Sequence, residues 1–334
     1  MKYEKILTIS VAAYNLEKLI TKNLDSVINS KVRDKIEIIV TDDESKDNTA
    51  KIVEKYEEKY PEIVKLVKQK NMGPGSSINN GIKFATGKYF KMVDGDDWVE
   101  TENLEKIINK LEEIDSDIFF TNYVVFNSKS QKIIDECKCN LPKDRLLAFN
   151  EYCKDIILVM HNIMFRTSIL KENNIKIDNC FYTDVEYALL PMKYVKTFYY
   201  MDINLYVYLV AQDNQSVSVK SMQKNIKMHE FVLNRLLDFY RENKNSMEGN
   251  IEKSVIKRIA LMAANQLSTY LTYDNKKERI ERIKKFNNEL KNNSNEIYKE
   301  YKKNKKAFFI INSNYILTNL ISKCYMKKIS KFRY

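Results

Sequence analysis

The sequence predicts an α/β fold, a mainly parallel central sheet flanked by helices, followed by a helical appendage. Three observations carry this. Short apolar, β-rich runs alternate with helical periodicity over roughly the first hundred residues, the pattern of successive β-α-β units and a buried sheet. The acidic and glycine-rich segments of that region fall just after the apolar runs, at the strand ends where open α/β sheets bind ligands. From about Ser221 the periodicity is helical alone.

The elements follow in order. Ile6 to Val11 reads as a strand, and Leu16, Leu19, Ile20, Leu24, Val27 and Ile28 repeat on one helical face. Lys35 to Val40 is a second strand, with a helix expected over Thr49 to Tyr60. Val64 to Lys68 is a third, Asn71 to Ser77 a loop, Ile78 to Ala85 a helix, and Lys88 to Val93 a fourth strand. Leu104, Ile107, Ile108 and Leu111 mark another helix, and Asp117 to Phe126 another strand, before a turn-rich polar segment. Val159 to Arg166 is apolar and strand-like, and Thr197 to Val210 is aromatic and β-rich.

Composition narrows the class. With 334 residues, 44% hydrophobic and 30% charged, the chain has the makeup of a globular protein with a sizeable core. We expect residues 1–220 to form one domain and residues 221–334 a helical, basic region. The N-terminus lacks the pattern of a signal peptide and no window holds eighteen apolar residues, so a cytoplasmic location is expected. Five cysteines without a Cys-x-x-Cys pair point to reduced thiols, not to a disulfide framework or zinc site. Residues 221–334 carry a net charge of +14, which leaves −3 for residues 1–220 of the total of +11. The excess basicity is therefore local.

The chemistry concentrates in Val93-Asp94-Gly95-Asp96-Asp97-Trp98. Three carboxylates in four positions repel one another unless a cation holds them, although Asp-Gly is also a strong turn signal. Three more segments sit at strand ends: Ala13-Tyr14-Asn15, Asp42-Asp43, and the loop with Gly73 and Gly75. A glycine-rich loop lets backbone approach a phosphate and carboxylates hold the metal that neutralises it, so together they describe a nucleotide-diphosphate site. The loop is neither a Walker A nor a dinucleotide fingerprint.

Four blocks, in order and spacing, resemble the family 2 glycosyltransferases with a GT-A, Rossmann-like fold. They are Ile9 to Asn15, Ile38 to Thr49, Asn79-Asn80-Gly81-Ile82 with Ala85 to Tyr89, and Val93 to Asp97. The resemblance implies that Ala13, Tyr14, Asp42 and Asp43 meet the nucleotide, usually uracil, and that Gly73 and Asn79 belong to the donor site. It makes Asp94-Gly95-Asp96 the DxD element, with Asp96 and Asp97 on a Mn²⁺ or Mg²⁺ ion and a UDP-sugar as donor. The chain departs from the family in carrying Ala12 for a common Pro and Ile78 for a common Arg.

Further along, Cys180 to Tyr187 resembles the Glu-Asp element at which inverting members place a general base, with Thr183 in place of the Glu and Asp184 matching the Asp. A plain helix cap by Thr183 or Asp184 is the competing reading, and Glu186 is the second carboxylate if the register slips. His161 is read either as a core histidine or as a site residue. Gln215 and Ser216, in a segment resembling the family's Gln-Ser-Val/Ile-Ser, are read either as site-closing residues or as a turn. The implied activity is inverting, metal-dependent transfer of a hexosyl or N-acetylhexosaminyl group to a hydroxyl of a bacterial surface glycan or glycolipid. The rival classes are a non-catalytic sugar-nucleotide binding protein and a nucleotidyltransferase. Residues 302–334 hold nine Lys/Arg and no acid around an apolar-aromatic middle. They read as an anionic-membrane contact or as a packed helix with a solvated charged face, and no nucleic-acid module is recognisable.

Overall fold

The computed structural model describes residues 3–211 and 219–331 and divides into two compact units, Met1–Val210 and Ala211–Tyr334. The strands of the first unit are β1 Leu7–Ala13, β2 Ile36–Asp42, β3 Val64–Lys68, β4 Tyr89–Asp94, β5 Trp98–Val99, β6 Ile118–Asn127, β7 Lys132–Cys137, β8 Leu146–Ala148, β9 Ile163–Arg166 and β10 Thr197–Val210. They form one sheet in the order β3-β2-β1-β4-β9-β6-β10-β5, with β7 on β6 and β8 on β10. The four strands read from the first ninety-odd residues are parallel neighbours. Beyond β4 the sheet is mixed, because β9 runs antiparallel to both β4 and β6 while β10 is parallel to β6. That insertion pairs Phe90 with Phe165 and Ile118 with the same Phe165, long-range partners that no local pattern encodes.

The helices that flank this sheet are α1 Ile20–Ile28, α2 Thr49–Lys59, α3 Pro74–Phe84, α4 Thr101–Glu113, α5 Phe149–Tyr152, α6 Thr167–Glu172 and α7 Thr183–Leu189. The apolar repeats land inward as expected: Ile20, Leu24, Val27 and Ile28 on α1, and Leu104, Ile107, Ile108 and Leu111 on α4, are all buried. Each such side chain contributes about 1.5–3 kcal/mol by leaving water.

Helix α3 differs from expectation. It begins at Pro74, four residues earlier than the apolar pattern suggests, so Gly75, Ser76 and Ser77 lie within it. Proline at the first helical position loses no hydrogen bond and has its φ preset for the turn. The stretch around His161 also differs, since Met160–Asn162 is a 3₁₀ turn and β9 starts only at Ile163.

The second unit is helical: α8 Val219–Lys224, α9 Ile226–Asn243, α10 Gly249–Tyr270, α11 Lys276–Asn293, α12 Asn295–Tyr301, α13 Lys305–Asn312 and α14 Thr318–Lys331. Its core holds an aromatic series in which Tyr270 meets Phe286 edge-on at 5.7 Å and Phe286 meets Tyr301 at 5.9 Å. Buried Asn287 accepts from the Tyr301 hydroxyl at 2.9 Å, satisfying a polar group inside that core. Among the described residues no helix is long and apolar enough to cross a membrane.

Candidate active site

Parallel pairing sets the site. Ala13 stands opposite Asp42 and Ala12 opposite Asp94, so β1, β2 and β4 end together and deliver Tyr14, Asp42, Asp43 and the acidic turn to one edge. Tyr14 is 47% exposed, an aromatic face open to a partner.

Asp43 is buried and organises the glycine loop. Its backbone N–H donates to Ala13 O at 2.9 Å. Its carboxylate accepts from Gln69 Nε2 at 2.7 Å, from the Met72 N–H at 2.9 Å and from the Gly73 N–H at 2.8 Å. Gly73 adopts φ +86°, a conformation that suits glycine. Two residues on, a Cβ at Gly75 would stand 1.8 Å from Asp178 O, so the loop packs closely on the 177–180 segment. Asp42 accepts from the Ser45 N–H at 3.2 Å through Oδ2, whereas its buried Oδ1 has no hydrogen-bond partner.

Asn79, expected at the donor, is engaged elsewhere. Its side chain donates to Ile177 O at 2.7 Å and accepts from the Ile177 N–H at 2.9 Å, which ties α3 to the segment before α7. Glu186 is likewise committed to that segment, fully buried and accepting from the Asp178 N–H at 2.9 Å.

The acidic turn is tied to β10. Asp97 is buried; its Oδ2 accepts from the Tyr206 hydroxyl and its Oδ1 from the Leu209 N–H at 2.7 Å. The Tyr206 oxygen also accepts from the Asp94 N–H at 3.2 Å. From α1, Asn23 Nδ2 donates to Asp94 O at 3.1 Å and Asp97 O at 2.9 Å, closing the turn from the other side. Gly95 fits because a Cβ there would sit 2.5 Å from Leu16 Cδ1 and 2.7 Å from Ala12 O.

Burial raises every acid in this turn, and crowding adds to it for Asp94 and Asp97. Burial, then Asp96 and Asp184, push the Asp94 carboxyl up to about 7. Burial raises Asp96, and burial followed by Asp96 and Asp94 holds Asp97 well above the usual carboxylate range. Tyr208 is pushed up to about 12 by burial and then by Asp97, Asp94, Asp96 and Asp184. Asp184 therefore shares the electrostatic neighbourhood of the acidic turn although ninety residues separate them. It lies in the first turn of α7. The helix starts at Thr183 after Tyr182 in a left-handed conformation, without a side-chain cap, so neither Thr183 nor Asp184 acts as the cap.

His161 belongs to this cluster. Its ring packs against Tyr123, Tyr206 and Tyr208 at centroid distances of 5.0, 4.7 and 4.8 Å. Burial and then Lys91 drive its pKa down to about 3, so the imidazole is neutral. Lys91 is buried, donates to His161 O at 2.9 Å, and is pushed down to about 7 by burial. Asp94, Asp97 and His161 each present one ligand atom, all within 4.8 Å of one another. Two repelling carboxyls beside a neutral ring nitrogen are a donor set that fits a divalent cation. Asp96, expected with Asp97 on the metal, stands beside this trio and not within it. Gln215 and Ser216 lie outside the described residues. The sequence hinted at His161 through its rarity, as one of two histidines, and through its resemblance to a family block before the acceptor region, and gave no sign of Tyr206.

Comparison with known proteins bears on the family and the fold. Residues 8–173 match the family model described as glycosyl transferase family 2. The chain is 30% identical over 228 residues to a poly(ribitol-phosphate) beta-glucosyltransferase of Bacillus spizizenii, covering 64% of this chain and 33% of that protein. It is 28% identical over 195 residues to a cholesterol galactosyltransferase of Borreliella burgdorferi, covering 55% and 54%. The chain thus spans a third and about half of these two relatives. Among solved structures, residues 1–349 of Staphylococcus aureus TarS in complex with UDP-GlcNAc superpose with a TM-score of 0.67 at 18% identity, over 97% of this chain and 92% of that one. The Pyrobaculum calidifontis mannosyltransferase PcManGT in complex with GDP-Man and Mn²⁺ gives 0.51 at 14%, over 98% and 89%. At these identities the structural likeness is one of fold.

Proposed function

Because the chain belongs to glycosyl transferase family 2 and has its GT-A fold, we propose that it moves a sugar from a nucleotide-diphosphate donor, UDP-sugar first, to a hydroxyl of a bacterial surface glycan or glycolipid. The observation that carries this reading is the crowding of Asp94, Asp96 and Asp97 at the strand ends, where Asp184 adds to the charge that raises Asp94. The transfer belongs to the first unit.

In this reading Tyr14 stacks on the nucleotide base, and the orphaned Oδ1 of Asp42 accepts from a base N–H. Asp43 holds the Gly73 loop in shape beside it. Asp94, Asp97 and His161, with Asp96 adjacent, would hold Mn²⁺ or Mg²⁺. That cation supplies positive charge against the diphosphate when bound. Asp184 accepts the proton of the acceptor hydroxyl as its oxygen attacks the anomeric carbon. The new C–O bond forms as the bond to the diphosphate breaks on the opposite face, so the configuration inverts.

The location we infer is cytoplasmic, supported by cysteines that form no disulfide. A donor-hydrolysis assay separates this reading from its rivals. Slow release of free sugar from a nucleotide sugar supports a transferase; binding without turnover supports a non-catalytic binding protein. Release of a sugar 1-phosphate points to nucleotidyl chemistry.

A further inference from the structure

Residues 302–328 of the helical unit have two distinct faces. One packs: Ala307 and Ile310 are fully buried and Thr318 and Ser322 are buried. The Ser322 hydroxyl donates to Leu271 O at 2.7 Å, the Tyr315 hydroxyl accepts from Asn287 Nδ2 at 3.1 Å, and Asn319 Oδ1 accepts from Arg279 at 2.9 Å. At about 100° per residue, Phe308 and Phe309 on α13 point away from the Ala307/Ile310 side, and Leu320, Lys323 and Lys327 on α14 point away from Thr318 and Ser322.

The large apolar side chains outside the packed face are exposed. Phe308, Phe309, Ile316 and Leu320 are 47%, 51%, 80% and 59% exposed. Lys303 and Lys305 precede them, Lys323, Lys327 and Lys328 follow, all exposed, and no acid occurs from residue 302 onward. Four large apolar side chains open to water within thirteen residues mark an interaction surface. Its flanks choose the partner. Protein interfaces are depleted of lysine, whereas lysines around inserted aromatic and aliphatic side chains suit a bilayer whose headgroups are anionic. The long lysine stems lie along apolar surface while their ammonium groups reach the headgroups.

We propose that this face docks the chain on an anionic lipid bilayer, Phe308, Phe309, Ile316 and Leu320 entering the interfacial layer and the flanking lysines pairing with lipid phosphates. The inference is independent of the sugar-transfer reading, because it concerns lipid binding alone.

The test is flotation of the full chain with vesicles of phosphatidylcholine alone or mixed with one-third phosphatidylglycerol, at 0.1 M and 0.5 M salt. We expect binding to the anionic vesicles only, weakened at the higher salt as screening shortens. The Phe308→Ser/Phe309→Ser variant and the Lys303→Gln/Lys305→Gln/Lys323→Gln variant should each lose at least tenfold in partition, with unchanged circular dichroism. Equal binding to neutral vesicles, or full binding by either variant, overturns the proposal. So does a wild-type chain that binds no vesicle but forms an oligomer, or holds an oligonucleotide, that the Phe308→Ser/Phe309→Ser variant loses.

Discussion

The Tyr206 hydroxyl donates to the Asp97 carboxylate while accepting the Asp94 N–H at 3.2 Å. One phenol on β10 thereby fixes the acidic turn after β4. Tyr206→Phe removes the donor and leaves a buried carboxylate oxygen short of a partner, which costs about 1–3 kcal/mol. Thermal unfolding should show a midpoint lower by several degrees. An unchanged midpoint would mean that the turn is held without this bond.

Gly75 tests the packing of the Gly73 loop on the 177–180 segment. A Cβ there meets the Asp178 carbonyl at 1.8 Å, and backbone has to move. Gly75→Ala should destabilise by about 1–3 kcal/mol. Gly249 is the control, since a Cβ there meets nothing within 4 Å; Gly249→Ala should be neutral or stabilising by up to about 1 kcal/mol. Chemical denaturation of the two variants checks the contrast.

Both histidines of the chain are held neutral. Burial lowers His161 to about 3 and His229 to about 4. The unfolded chain takes up these protons near 6.5 and the folded chain does not, so stability is fully present above pH 6.5 and declines as pH falls toward 4. Two predictions follow from the sign. Proton NMR of the imidazoles should show no titration between pH 5.5 and 8, and His229→Gln should lower the pH at which acid denaturation begins. An imidazole titrating near 6.5 would show that its ring is not shielded.

The four parallel strands and the acids at their ends were legible because apolar runs and Asp clusters are local signals. Asp43 sits at a strand end on sight, and its place beside Gly73 follows from parallel pairing. The rest depended on partners far away in the chain. Nothing near Asn79 foretells that its amide is consumed by Ile177, ninety-eight positions on, and nothing near Asp97 foretells Tyr206. His161 looked like a strand residue because its neighbours are apolar. It lies in a 3₁₀ turn whose His161 carbonyl accepts from Lys91 on β4, seventy positions earlier. At the C-terminus, sequence posed a packed helix against a membrane contact. The structure shows a packed face and an exposed apolar face on the same helices.

Asp184 is predicted to act after the donor is bound. Asp184→Asn should keep nucleotide-sugar affinity within about twofold while transfer falls by about 10²–10⁴, the usual contribution of a positioned base. Product anomer analysis by NMR on the wild type should show inversion. Normal turnover by the variant, or a retained configuration, would remove Asp184 from the base role.

A nucleotide-sugar site built at the acidic turn is tested most directly by calorimetry. UDP-, GDP- and dTDP-sugars would be titrated into the full chain with and without Mn²⁺, and then into Asp94→Asn and Asp96→Ala. The predicted result is one preferred nucleotide sugar, bound at least tenfold more tightly with Mn²⁺, and loss of that metal increment in both variants. Absence of binding by every nucleotide sugar, or affinity indifferent to Mn²⁺ and to both substitutions, would contradict it.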